Sequence, residues 1–293
     1  AVPSEWIAGW EKLVRESRAL FGASHFASYT FLIALSDDME SFGLEHHESS
    51  DNRRDEATLT DPNLTPWLAQ LLGHEYVHSW NGKYRRPQGL LSADYQKPMD
   101  GSLLWVYEGL TEFWGDVLPT RAGLMSPQDY REYQATVAGA FDVNTGPRWR
   151  PLADTAVEAQ KLYDAPSAWG SSRRGTDFYE ASVFLWLDVD TELRARSGGK
   201  ASLDDFMKRF YAGPNGAPQL KPYVEEDLYG TLNAVAPGNW RAFVRRHLDP
   251  TGTSALFAAL ERSGWKLGYS AEKNSWVEHW QKRKKTTERQ WSI

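Results

Sequence analysis

An α+β fold, mostly helical with a small β portion near the amino terminus, is what this 293-residue sequence predicts. Three observations carry that expectation. Apolar residues recur at helical spacing through most of the chain beyond residue 61. A single cluster rich in β-branched and aromatic residues lies between residues 28 and 48. Side chains that are 41% apolar and 13% aromatic suffice for a buried core.

Taken in order, residues 4–22 set Trp6, Ile7, Trp10, Leu13, Val14 and Leu20 on one stripe between a leading Ser and a closing Gly, which predicts an amphipathic helix. Residues 28–36 are β-prone and too short for a typical helix, so they read as a strand, and residues 43–48 read as a second, shorter strand or strand edge. Helical periods then occupy residues 64–80, 103–118, 127–140 behind a Ser126 cap, 177–196, 203–211 with Ser202 and Asp205 as a capping box, 225–234, 239–247 and 254–263. Residues 81–101 and 141–175 have no periodicity, and loops of that length are more often functional than decorative. The basic run Lys282 to Lys285 reads as a solvated charged face, and residues 290–293 as the start of a strand that the sequence cuts short. An opening at Ala1, without Met or a signal layout, points to a processed form or a fragment.

Composition excludes several classes. Thirty-three Lys and Arg against 39 Asp and Glu leave a charge of −6, so no basic field invites nucleic acid or an anionic membrane. The longest apolar run, 181–187, is far short of the roughly 20 residues a membrane span needs. The sequence has no cysteine, so thiolate nucleophiles and cysteine metal ligands are excluded, and periplasm and cytoplasm both stay open.

The strongest motif is His74-Glu75-Tyr76-Val77-His78, expected by chance only about 0.01 times in a chain of this composition. On a helix, His74 and His78 lie one turn apart on one face, and Glu75 sits about 100° beside them. Two imidazoles can then reach one ion while Glu75 holds a water. Because the helix is apolar nearly all round, such groups would be costly to bury without a metal or hydrogen bonds. A catalytic zinc needs a third protein ligand. The extended motif with a later Gly and His is absent, since Asn81 and Tyr84 hold those positions. The next helix offers Glu108, Glu112 and Asp116 at successive i+4 steps, one to ligate and a later one to orient a histidine from behind, without spacing deciding which.

These residues resemble the glycyl aminopeptidase family of zinc peptidases, distant relatives of thermolysin. His74-Glu75-Tyr76-Val77-His78-Ser79-Trp80-Asn81-Gly82-Lys83-Tyr84-Arg85-Arg86-Pro87 is similar to that family's zinc helix and its exit, and Leu104-Trp105-Val106-Tyr107-Glu108-Gly109-Leu110-Thr111 to the segment with its third ligand. Gly43-Leu44-Glu45-His46 resembles a strand-borne family motif, and 151–156 and 198–205 are also similar; the likeness runs from about residue 10 to 267. Two places depart: Phe42 stands where a second Gly is usual, and Phe178-Tyr179-Glu180-Ala181-Ser182 replaces a Tyr-Tyr-x-Lys-Gly stretch.

The resemblance implies a thermolysin-like catalytic domain that elsewhere carries a preceding β domain and a following PDZ domain. The expected organisation is an N-terminal helix and β portion of a catalytic domain over 1–60, a helical zinc-binding lobe over 61–267, and a linker with the start of a truncated, PDZ-like C-terminal domain over 268–293. It implies one Zn²⁺ on His74, His78 and Glu108, with Glu112 and Asp116 behind the ligands. Glu75 is the expected general base. Tyr179, at a helix head where relatives place a tyrosine, is the expected oxyanion donor. Glu45 is the expected grip for a substrate's α-ammonium. His46, His47 and Glu48 do not suggest a second metal site, because neighbours on a strand face opposite ways. The implied function is an aminopeptidase acting on peptides with small first residues, Gly or Ala. The alternatives are a zinc endopeptidase and a peptide-binding scaffold on the same fold, and the intact Glu75 speaks against the latter.

Overall fold

A computed structural model describes residues 2–94, 96–162, 169–279 and 281. Helix α1 (Ser4–Phe21) buries Leu13, Leu20 and Phe21 and leads to a three-stranded sheet of β1 (Thr30–Leu35), β2 (Phe42–Glu45) and β3 (Ser49–Arg54). The spatial order is β1-β3-β2, with β1 parallel and β2 antiparallel to β3, so β2 is an edge strand. Strand β3, Ser-Ser-Asp-Asn-Arg-Arg, was not expected, since nothing in its composition favours a strand. Pairing on both sides makes it one. Its buried Asn52 donates to the carbonyls of Leu32 and Ser50 and to Ser50 Oγ.

Helix α2 (Thr65–Val77) follows, with His78 still helical as its cap. Strand β4 (Arg85–Pro87) lies in the loop that the sequence left without periodicity and pairs in parallel with the distant β5 (Lys221–Tyr223). The single helix expected over 103–118 divides into two, α3 (Leu104–Tyr107) and α4 (Gly109–Ala122), that meet at Glu108. The helical lobe continues through α5 (Pro127–Val143), α6 (Leu152–Val157), α7 (Ala159–Leu162), α8 (Glu180–Ser197), α9 (Leu203–Phe210), α10 (Glu225–Val235), α11 (Trp240–Leu248) and α12 (Ser254–Arg262). Ser202 N–H donates to Asp205 Oδ2 at 2.8 Å, the expected box at the start of α9. Helices α6 and α7 occupy part of the second aperiodic stretch.

Central α4 packs against α1, α2 and α8. Its Gly115 lets it lie close to α2, because a Cβ there would come 3.1 Å from the Cα of His74. One core cluster runs through these helices, with Trp80, Trp105, Trp114, Trp186 and Trp240 fully buried. Past residue 268, Trp276 packs onto the lobe. That ring is 2% exposed, 4.5 Å from Trp67 and 4.7 Å from Tyr133. Residues 282–293, with the basic run and the expected strand, lie outside the described residues. Among the described residues no helix is long and apolar enough to cross a membrane.

Trp80 ties α1 to the end of α2 by stacking on Phe21 at 4.3 Å and donating Nε1–H to the Ala23 carbonyl. Trp80→Ala should lower unfolding stability by about 3 to 5 kcal/mol, through the cavity and the orphaned carbonyl. Urea denaturation followed by circular dichroism reads it; a loss under about 1 kcal/mol would contradict this anchoring role.

Candidate active site

The site forms where α2 faces the junction of α3 and α4. Helix α2 presents His74 and Glu75 and ends just before His78, whose N–H still reaches the His74 carbonyl at 3.2 Å and so keeps the two rings one turn apart. Glu108, at the junction, projects between them. Its Oε2 lies 3.4 Å from His74 Nε2 and 3.2 Å from His78 Nε2, and the two Nε2 atoms are 3.0 Å apart.

The outer ring nitrogens fix what the inner ones can be. His78 Nδ1 is 2.9 Å from the Asn81 carbonyl, which can only accept, so the proton sits on Nδ1 and Nε2 offers a lone pair. His74 Nδ1 lies 2.7 Å from Glu112 Oε2 with the same consequence. Three donor atoms therefore converge, with Glu108 Oε2 buried between the two Nε2 atoms. Such an array could hold a cation at its centre, and without one a proton can take its place. Two imidazoles and one carboxylate are the donor set of a catalytic zinc, and among the described residues His74, His78 and Glu108 are the only cluster of His and acids close enough to share an ion.

Charge follows the same geometry. Burial pushes the Glu108 carboxyl up, but the positive character of His78 and His74 outweighs it and holds Glu108 down at about 2. Burial pushes both histidines down, yet Glu108 and Glu112 carry His74 well above its ordinary value, and Glu108 with Glu45 raise His78. Glu75, 5% exposed, is pushed up to about 6 by burial, against the opposing pull of the histidines. Its carboxylate lies against Gly43 of β2, where any side chain would collide with Glu75 Oε1 and Leu71. A larger residue there would have to displace the Glu75 carboxylate and Leu71. Phe42, in place of the family's second glycine, turns outward, 43% exposed with the Arg53 guanidinium 5.2 Å over its ring.

Glu45 ends β2 beside the histidines. Its Oε1 accepts from Tyr107 O–H at 2.5 Å and from Lys83 Nζ at 3.3 Å. Burial raises its carboxyl, but His78, Lys83 and Tyr107 bring it below the ordinary range. Tyr179 caps α8 with its ring 6.0 Å from that of His74. Glu45, Glu75, His74, Glu108, Glu112 and Tyr179 line one cleft of about 560 Å³, bordered by β2 and α2. Asp116 also borders it but reaches neither histidine. It lies a full turn beyond Glu112, about 6 Å further along α4, and accepts from Gln70 and Gln134 at 2.7 Å each. His46 turns to Ser49 Oγ at 3.0 Å, away from the cluster.

Asn81 and Thr111 were given no role from sequence. Asn81 is fully buried, and its Nδ2 donates to the Val106 and Tyr107 carbonyls and to Thr111 Oγ1, joining the His78 turn to the junction that presents Glu108. The signal was an amide directly after an apolar helix and a hydroxyl three residues after an acid, both too common to single out.

Residues 67–185 match the model of the M61 glycyl aminopeptidase family. No curated protein matches the chain. An aminopeptidase N family protein of Idiomarina loihiensis superposes with a TM-score of 0.77 at 23% identity, over 88% of this chain and 44% of that one. An M1 zinc metallopeptidase of Deinococcus radiodurans, a variant bound to a Tyr-Ser-Ala substrate, superposes with a TM-score of 0.51 at 14% identity, over 86% of this chain and 45% of that one. The chain thus shares its α+β fold with these two solved structures and spans less than half the length of either.

Glu75 gives a pH test on metal-free protein. With its carboxyl at about 6 when folded and near 4.5 when unfolded, the folded state binds more protons between those values, so stability falls as pH rises through that window. Raising pH from 4.5 to 7 should cost the wild type about 1 to 2 kcal/mol more than Glu75→Gln, which cannot titrate. Urea unfolding of both proteins at the two pH values measures this. An identical pH response would contradict the buried, protonated Glu75.

Proposed function

We propose that this chain, whose residues 67–185 match the M61 glycyl aminopeptidase model, is a zinc-dependent metallopeptidase that releases small amino-terminal residues, Gly or Ala, from peptides. The observation that carries the reading is the convergence of His74 Nε2, His78 Nε2 and Glu108 Oε2, with the Glu75 carboxyl beside them. Zinc held there would polarise the scissile carbonyl and acidify a water. Glu112 and the Asn81 carbonyl hold the two imidazoles in the tautomer that leaves Nε2 free. Glu75 takes a proton from the attacking water and returns it to the leaving amine, a task suited to a carboxyl near 6. Tyr179 donates its phenol to the developing oxyanion without adding charge.

Glu45 gives the reading its direction. Tyr107 and Lys83 both bind Oε1, which orients the carboxylate and leaves Oε2 for a substrate α-ammonium. The Lys83 contact also favours the second reading, an endopeptidase, in which Lys83 alone neutralises Glu45 and no free amino terminus is required.

The test compares zinc-loaded wild type and Glu75→Gln on Ala- or Gly-initiated peptides with free or acetylated amino termini. Glu75→Gln should keep its zinc and lose about 10² to 10⁴-fold in kcat. Acetylation should lower wild-type kcat/KM by at least about 30-fold, because it leaves a desolvated carboxylate unmatched. Equal cleavage of free and blocked peptides would establish the endopeptidase reading instead. Zinc-loaded wild type that cleaves neither would leave a binding scaffold.

A further inference from the structure

The cleft changes character along α2. Glu45 stands at the His78 end, where Lys83 and Tyr107 bind it, while Gly43 lies against Glu75 and Leu71, so β2 runs alongside α2 toward its carboxyl end. Back along the same face of α2, Leu71 and Trp67 follow His74 at steps of about one turn, which places Trp67 about 10 Å from His74 along the helix axis. Acids line the cleft around the histidines, but at this far end Leu71, Trp67 and Tyr133 present apolar surface. Arg54 borders the same end and turns its Nη2 to the Trp67 carbonyl at 3.4 Å.

Tyr133 belongs to α5, and the segment around Trp276 holds it near Trp67. The Trp276 ring lies 4.5 Å from Trp67 and 4.7 Å from Tyr133, tilted 41° and 46° to them. Hydrogen bonds pin this segment to α5 and to the turn before α2. Asn274 Nδ2 donates to the Glu132 carbonyl at 3.0 Å, Ser275 Oγ donates to Asp129 Oδ1 at 2.8 Å, and Ser275 N–H reaches the Glu132 carboxylate. His279 Nδ1 meets Asn63 Oδ1 at 3.1 Å. One buried ring thus sets the spacing of two half-buried rings that line the cleft. Aromatic walls held in this way suit one further ring, by offset or edge contact.

With its ammonium at Glu45, as the aminopeptidase reading requires, and its first carbonyl at the cluster of His74, His78 and Glu108, a peptide extends away from Glu45 along α2. Extended residues advance about 3.3 Å each, so the third residue lies about 6 to 7 Å beyond the cleaved carbonyl, and an aromatic side chain there covers the remaining distance to Trp67. We propose that Trp67, Leu71 and Tyr133 form the subsite for the third residue of the substrate, with Trp276 as the residue that positions its walls, so that peptides with an aromatic third residue are the preferred substrate class. The proposal rests on the aminopeptidase reading for the direction of the chain.

Zinc-loaded protein is assayed on the C-terminal amides of Ala-Ala-Phe and Ala-Ala-Ala, with Tyr133→Ser, Trp276→Ala and Trp276→Phe beside the wild type. The wild type should prefer the Phe peptide at least about tenfold in kcat/KM, mainly through KM, since burial of one aromatic side chain is at stake. Tyr133→Ser and Trp276→Ala should each bring that ratio below about threefold, while Trp276→Phe keeps most of it. A wild-type ratio near one, or a ratio that Tyr133→Ser leaves at its wild-type value, would overturn the subsite. A ratio that Trp276→Ala leaves unchanged while both peptides are cleaved more slowly would overturn the positioning role and return Trp276 to packing alone. Preference for Ala-Phe-Ala amide over Ala-Ala-Phe amide would overturn the assignment to the third residue. If zinc-loaded wild type cleaves no peptide of the set, the aminopeptidase reading fails separately. Calorimetric binding of the first two amides to Glu75→Gln, with and without Tyr133→Ser, then decides the subsite by itself: tighter binding of the Phe peptide, lost with Tyr133→Ser, supports it, and equal binding overturns it.

Discussion

Two histidine nitrogens and a carboxylate oxygen face one another within 3.0 to 3.4 Å, an arrangement that repels itself unless a metal ion or a proton lies between them. Much of the surrounding structure serves to hold those atoms in place. Glu112 and the Asn81 carbonyl fix the imidazole tautomers from behind, and Gly115 lets α4 come close enough to α2 for Glu108 and Glu112 to reach across. Asn81 then fastens the His78 turn to the junction of α3 and α4. In the metal-free protein a proton takes the cation's place, with Glu108 held low and both histidines raised.

The α3–α4 junction at Glu108 links fold to chemistry. The backbone stays helical there, with Glu108 N–H on the Leu104 carbonyl at 2.8 Å and its own carbonyl accepting from Glu112 N–H at 2.7 Å, and this continuity sets Glu108 and Glu112 one turn apart facing the histidines. The edge strand β2 supplies the other wall. Gly43 admits the Glu75 carboxylate, Glu45 closes one end of the cleft, and Phe42 turns away to meet Arg53. The same groups that make the cleft acidic make its ends chemically distinct, which gives a bound peptide a direction.

Local pattern carried much of this into view. The i, i+4 histidines, the capped helices and strand β1 follow from spacing and propensity, which neighbouring residues set. What was illegible depends on distant partners. Strand β3 is polar and exists because β1 and β2 flank it, β4 needs β5 more than 130 residues away, and Trp276 finds Trp67 and Tyr133 only after the lobe has closed. Within the site, spacing put Glu108, Glu112 and Asp116 on one stripe and could not rank them. The third dimension does: Glu108 meets both histidines, Glu112 meets one from behind, and Asp116 turns to Gln70 and Gln134.

One metal ion should sit where these three side chains converge. Anomalous diffraction at the zinc edge, on crystals of the zinc-loaded protein, locates it. A single strong peak is expected about 2.0 to 2.2 Å from His74 Nε2, His78 Nε2 and a Glu108 carboxylate oxygen. A peak coordinated by other residues, or density at the site with Glu108 turned away from it, would rule out this metal centre.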